Sequence, residues 1–426
     1  MPTKLFAAGL AVAVTLSTAA PALAAPLPLT LPALTGQYQV GTTSLHLVDS
    51  GRADPWVPQQ RRELMVTVDY PVRHAGAAPR AAWLGPGVAA ATEEVFSKPE
   101  YLNLPPGSVG WAGVKRAART GLPADPSLGK RPVVLFSPGF GGDREYASVL
   151  VDDLASHGYV VVSLSHTGES DSVEFPDGRV VRQTAIEWTV DAMKTAIDTR
   201  VADSRFVLDQ LGVLAGGGNP DAESRAVPAG LGRTLDLSRV GMFGHSYGGY
   251  TTGETMYHDG RVDAGINLDG AMSWSSDLFG DAPYLPGEVT KHGLDRPFLL
   301  FGAGTIHPLT GQLVDHDIKP GFDRSWTDFW ANQHGWKRDL IMHEGRHHSF
   351  TDFQAILPQL AAQVPAARRE LFVGTVDAHR SLAAQSGYVS GFFDLHLRGV
   401  DLHLRGVDRH LFDGDSPCHP DVRIVA

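Results

Sequence analysis

Cysteine is almost absent: Cys418 is the only one in 426 residues. No disulfide can close within the chain, so stability has to come from core packing and loop interactions. Long apolar runs are missing too; the run from Leu5 to Val14 is too short to span a bilayer, and no other stretch comes closer. Positive charge is in deficit, with 36 Lys and Arg against 47 Asp and Glu and a formal charge of -11. That balance argues against nucleic acid as a partner and against electrostatic capture by anionic membranes. No HExxH is present, and no phosphate-loop lysine follows the glycines at 139–142, so neither a metal nor a nucleotide or other cofactor is expected.

What is present begins with a targeting signal. Lys4, the short apolar run and Ala22-Leu23-Ala24 form a signal peptide, residues 1–24, with cleavage after Ala24 and a secreted product. Residues 25–426 read as one catalytic domain with an N-terminal arm (25–63) and a Pro/Gly-rich insertion (71–128). That insertion is a candidate cover for the site or for one sheet edge. Leu64 to Tyr70 alternates with period two, a strand. From Pro132 the chain repeats a strand-helix rhythm. Strands are expected at Pro132 to Phe136, Tyr159 to Leu164, Val240 to Phe243, Ala264 to Leu268, Phe298 to Phe301 and Asp339 to Met342. Helices are expected at Tyr146 to His157 and Ala185 to Leu211. This pattern predicts a mostly parallel central sheet with helices on both faces, the α/β-hydrolase fold, with ligands bound beyond the carboxyl ends of the strands.

The most informative stretch is Gly244-His245-Ser246-Tyr247-Gly248, placed between a buried strand and a helix. A serine on so sharp a turn needs small residues two before and two after, which Gly244 and Gly248 supply. A serine hydroxyl also needs a histidine base and an orienting acid, and in this fold the chain order is serine, acid, histidine. Asp269 closes the next strand and is the leading acid. Asp315 and Asp317 are the runners-up, because the position after Phe301 has no carboxylate. His347 or His348 could serve as base by spacing, with His343 a weaker third; His245 reads as a packed neighbour of the nucleophile. The backbone N-H groups of Tyr247 and Phe140, the latter in the Gly-rich loop after Phe136, are the expected oxyanion donors.

Two further features call for a reading. Trp274 to Leu294, with Leu278, Phe279, Tyr284 and Leu285, could form a lid or a plain surface loop. Asp394 to Val400 (DLHLRGV) is repeated at once as Asp401 to Val407. The repeat reads as a duplication that lengthens a terminal helix by two turns; His396, His403 and His410 fall on one face of it without forming a metal site.

The chain resembles the secreted, plasma-type (isoform II) platelet-activating factor acetylhydrolases, and more closely their bacterial relatives. The resemblance rests on Gly-His-Ser246-Tyr-Gly-Gly, on Leu268-Asp269, on His347-x-x-Phe350-x-Asp352-Phe353, and on Asp153-Leu-Ala-Ser-His157-Gly-Tyr. It spans roughly Pro132 to Leu360. It implies Ser246 as nucleophile, Asp269 as acid, His347 rather than His348 as base, and Phe140 in the oxyanion loop. The expected function is a serine carboxylic-ester hydrolase for short acyl chains, including short sn-2 acyl groups of phospholipids, acting through an acyl-enzyme. The alternatives are a broader lipase or polyester hydrolase, a serine peptidase with the same triad, and a silent binding protein on the same fold. The expected partner is a small-molecule or lipid ester, with at most transient lipid-surface contact and no obligate protein partner.

Overall fold

The computed structural model describes residues 25–187, 189–275, 283–307, 310–400 and 411–426. The signal segment therefore lies outside the described residues. The main sheet comprises β1 (Gln39–Ala53), β2 (Arg61–Val72), β3 (Arg80–Ala82), β4 (Lys115–Thr120), β5 (Arg131–Ser137), β6 (Val160–Leu164), β7 (Leu235–His245), β8 (Ala264–Leu268), β9 (Phe298–Ile306), β10 (Leu313–Asp315), β11 (Lys337–Met342) and β12 (Arg423–Ile424). Its order is β12-β11-β9-β8-β7-β5-β6-β2-β1-β4-β3, with β10 paired to β9. The six strands from β11 to β6 are mutually parallel, whereas β2 runs against both β6 and β1.

Alternation along these strands creates two cores, because successive side chains point to opposite faces. Val133 and Leu135 of β5 and Met242 of β7 face α3 (Val190–Ala215), α4 (Tyr247–His258) and α5 (Arg324–Asn332). Val134, Phe136 and Phe243 face α2 (Ser148–Ser156) and α6 (Ala378–Arg398). A third cluster joins Trp83, Phe96 and Trp111 of the 71–128 segment to Phe353, Ile356 and Leu357. Within 71–128, β3 and β4 extend the sheet at its edge instead of covering it, and α1 (Pro86–Ser97) brings Val95 and Phe96 to the cleft described below.

Several boundaries differ from the sequence expectation. The helix expected from Tyr146 starts at Ser148, after a 3-10 turn over Arg144–Ala147. The long helix starts at Val190 rather than Ala185, because the Thr189 hydroxyl accepts the N-H of Ala192 and caps it there. After Asp352 the chain forms one α-turn and one 3-10 turn, with Pro358 in the second, in place of a continuous helix. The first copy of the repeat contributes Asp394 to Arg398 to α6, which ends there, and Gly399 takes a left-handed cap (φ 62°). The second copy, with His403, lies outside the described residues, as do His410, Leu278 and Phe279.

Candidate active site

The serine is positioned by a close approach of strand and helix. Ser246 follows β7 and caps α4 with φ 56° and ψ -127°, a left-handed conformation that costs energy for a residue bearing a Cβ. The turn is possible only because its flanks are bare. A Cβ on Gly248 would lie 1.9 Å from the Ser137 carbonyl oxygen, and one on Gly244 would lie 2.2 Å from the backbone of Gly248. The Ser246 N-H also donates to the Leu268 carbonyl (2.8 Å), tying the turn to the strand that carries Asp269.

Asp269 is buried just past β8 and is also left-handed (φ 59°). Its Oδ2 meets His347 Nδ1 at 2.6 Å, and its Oδ1 accepts the Ala303 N-H and meets His316 Nδ1, both at 2.9 Å. Burial alone would raise this carboxyl. The hydrogen bond and charge of His316, followed by those of His347, outweigh burial and hold it well below the usual carboxylate range.

His347 opens a 3-10 turn (His347–Phe350) after β11. Its loop is held from beneath by His245, whose Nε2 lies 2.8 Å from the His347 carbonyl oxygen. That contact makes His245 Nε2 a donor, and burial followed by the neighbouring histidines keeps its pKa well below the usual value. His348 instead stacks on Phe372 at 5.2 Å, and burial followed by the charge of His347 pushes it down to about 3. Of the two histidines, His347 meets Asp269, whereas His348 packs as a neutral ring.

Two of the runner-up residues, Asp315 and His343, pair with each other. Asp315 binds His343 Nδ1 and Arg423 at the sheet edge, and Asp317 caps the backbone at Lys319 (2.8 Å). Ser246 and His347 line one cleft of about 330 Å³, together with Phe96, Tyr101, Phe140 and Phe353. The described part of 274–294 does not line it: Ser273–Ser275 pairs with Leu285–Pro286, and the Tyr284 hydroxyl donates to Asp328 of α5 (3.0 Å).

Sequence reasoning missed what stands behind the Gly-rich loop. Arg200 of α3 is buried, is paired with Glu169, and donates to the carbonyls of Pro138 (2.7 Å) and Gly139 (3.0 Å). The Gly139 carbonyl also accepts the Gly142 N-H at 2.9 Å. In a trans peptide the N-H points opposite to the C=O, so these donors fix the direction of the Phe140 N-H. The hint in the sequence was an arginine amid the apolar positions of the helical pattern, where Asp203 and Ser204 are buried beside it. His316 and Asp323 were missed as well, although the runner-up carboxylates Asp315 and Asp317 flank His316.

Residues 27–279 match the family model described as platelet-activating factor acetylhydrolase, isoform II. The chain belongs to this family. Its matched region holds Ser246 and Asp269 but ends before His347. A probable 1-alkyl-2-acetylglycerophosphocholine esterase of Arthroderma benhamiae is 30% identical over 63% of this chain and 61% of its own. The chain thus spans about three fifths of the fungal relative that it matches. The platelet-activating factor acetylhydrolase of Cavia porcellus is 28% identical over 33% of this chain and 35% of its own. Among solved structures, a ferulic acid esterase from Streptomyces cinnamoneus superposes with a TM-score of 0.70 at 32% identity, covering 93% of this chain and 99% of that one. Family and neighbour agree with the α/β-hydrolase fold read from the strand order.

Proposed function

We propose that the protein is an exported serine ester hydrolase. One observation carries the reading: Ser246, on a strained strand-helix turn, shares a cleft with His347, whose far nitrogen is bound to Asp269 at 2.6 Å. In this reading Ser246 Oγ attacks the ester carbonyl while His347 Nε2 takes its proton. The tetrahedral oxyanion is held by the N-H groups of Phe140 and Tyr247, each worth about 3 kcal/mol. His347 returns the proton to the leaving alcohol, leaving an acyl-serine, and a water activated by the same histidine frees the acid. Asp269 keeps the imidazole in the tautomer that leaves Nε2 unprotonated.

Short acyl esters, including short sn-2 acyl groups of phospholipids, are the substrates that membership of the family favours. A second reading, esters of aromatic acids, is favoured by the rings of Phe96, Tyr101, Phe140 and Phe353 around the cleft and by the likeness to the ferulic acid esterase. Export rests on the signal-like residues 1–24, and amino-terminal sequencing of the secreted product should begin at Ala25. The deciding assay is hydrolysis of p-nitrophenyl esters from acetate to palmitate and of methyl ferulate, with Ser246→Ala in parallel. Activity confined to short chains and lost in the variant supports the first reading. Preference for the ferulate supports the second, and a Ser246→Ala protein that stays active refutes both.

A further inference from the structure

His316 lies behind Asp269, on the side away from the cleft. It is buried, with Trp326 at 4.1 Å and Phe322 edge-on at 5.3 Å between ring centroids. Both of its ring nitrogens face carboxylate oxygens: Nδ1 meets Asp269 Oδ1, and Nε2 meets Asp323 Oδ2, each at 2.9 Å. An ionised carboxylate can only accept, so a ring bonded to two of them must carry a proton on each nitrogen. Placing a proton on Asp323 instead would neutralise a carboxylate whose other oxygen already accepts the Ser325 N-H (2.8 Å) and hydroxyl (2.6 Å).

We infer that His316 is a positioning residue: as an imidazolium clamped between Asp269 and Asp323, it holds the acid in place and weakens its pull on His347, so setting the pH below which the base is lost. The inference rests on the reading of Ser246, His347 and Asp269 as the reacting set.

The surrounding charges support it. Burial would lower the pKa of His316, but Asp269 and then Asp323 overcome it and push it up to about 10. On its own segment, Asp317 faces Lys319 at 3.4 Å. From β11, Asp339 is held up to about 8 by burial, against the hydrogen bond from the Ile318 N-H, and so is neutral near pH 7. On the cleft side, His347 is flanked by His245 and His348, both kept neutral. His343 and Asp315 pair apart from the relay. Asp269 is therefore an anion with one permanent cation at its back and one transient cation, His347, at its front. Without the rear cation the full carboxylate charge would act on His347 and hold its proton to higher pH.

The test is the pH profile of kcat/KM for p-nitrophenyl acetate with His316→Gln, a neutral donor of similar reach. The acid limb should move upward by about one pH unit, with KM little changed. A merely structural defect would lower the whole curve without moving the limb. A limb that stays in place in a folded variant overturns the inference. Should His316→Gln fail to fold, histidine-labelled nitrogen NMR of the unaltered protein decides. A ring that keeps both protons from about pH 6 to about 8 supports the inference, and a ring that loses one in that span overturns it. Ser246→Ala separates the two claims. If it is inactive while the limb in His316→Gln is unmoved, only the role of His316 falls; if it is active, the underlying reading falls first.

Discussion

Serine, histidine and aspartate come together in two places in the molecule: an interior hydrogen-bonded chain, and the set of Ser246, His347 and Asp269 at the cleft. In the interior, Ser137 Oγ meets His166 Nε2 at 2.9 Å, and His166 Nδ1 meets Asp203 Oδ2 at 3.0 Å. These distances would satisfy a search for a triad. Yet Ser137 lies in regular β5, all three residues are buried, and cations surround them: Arg62 binds both oxygens of Asp203, and Arg200 donates to Ser137 Oγ (3.2 Å). Burial, then the charge of Arg200, lowers the pKa of His166. At the cleft the serine sits on a left-handed turn, and the His347 side chain is 41% exposed, against 0% for His166. The same three residue types therefore serve two ends. An internal chain satisfies buried polar groups and clamps the loop of Phe140, while a reactive one needs a strained turn, an open imidazole edge and donors for the oxyanion.

Substitution can break this comparison. The largest effect is expected at the cleft serine, where Ser246→Ala should cost about 10⁶-fold in kcat with an unchanged melting temperature. Asp269→Asn should follow at roughly 10⁴-fold in kcat, whereas Asp315→Asn, which weakens only the contacts to His343 and Arg423, should stay close to the parent in the same assay. Arg200→Met tests the clamp. It leaves Glu169 buried without its cation and should cost about 3–5 kcal/mol in denaturant unfolding. Ser137→Ala in the interior chain should cost only about 1 kcal/mol of stability and keep most of the activity. If it proved as damaging to kcat as Ser246→Ala, the division between the two sets would collapse.

A further expected effect concerns stability against pH. The folded pKa of His316 is raised to about 10, above an unfolded value near 6.5. Its contribution is therefore complete below about pH 6.5 and is lost as pH rises toward 10. Urea unfolding across that window should show a decline that His316→Gln lacks.

Much of this was legible in the sequence because local rules apply there. The parallel strands announce themselves as apolar runs such as Pro132 to Phe136, since burial on both faces leaves no polar alternation. The serine turn is legible because glycine is the only residue that fits its flanks. The helix starts were misplaced where a cap such as Thr189, rather than the apolar period, decides the first turn. The lid reading of 274–294 fails for its described part because Tyr284 finds Asp328 on α5, a partner with no local signature. The relay's rear was illegible for the same reason: His316 and Asp269 are 47 positions apart.

By itself, the sequence determined the strand-helix alternation, the strained serine between two glycines, and the short set of acids and histidines that could serve it, since each depends on spacing or on the size of adjacent residues. Only the tertiary structure decided that His347 rather than His348 meets Asp269, that Arg200 holds the loop of Phe140, and that a buried imidazole backs the acid. These are contacts between distant segments, set by how the strands register and how the loops pack above their ends, and no local pattern encodes them.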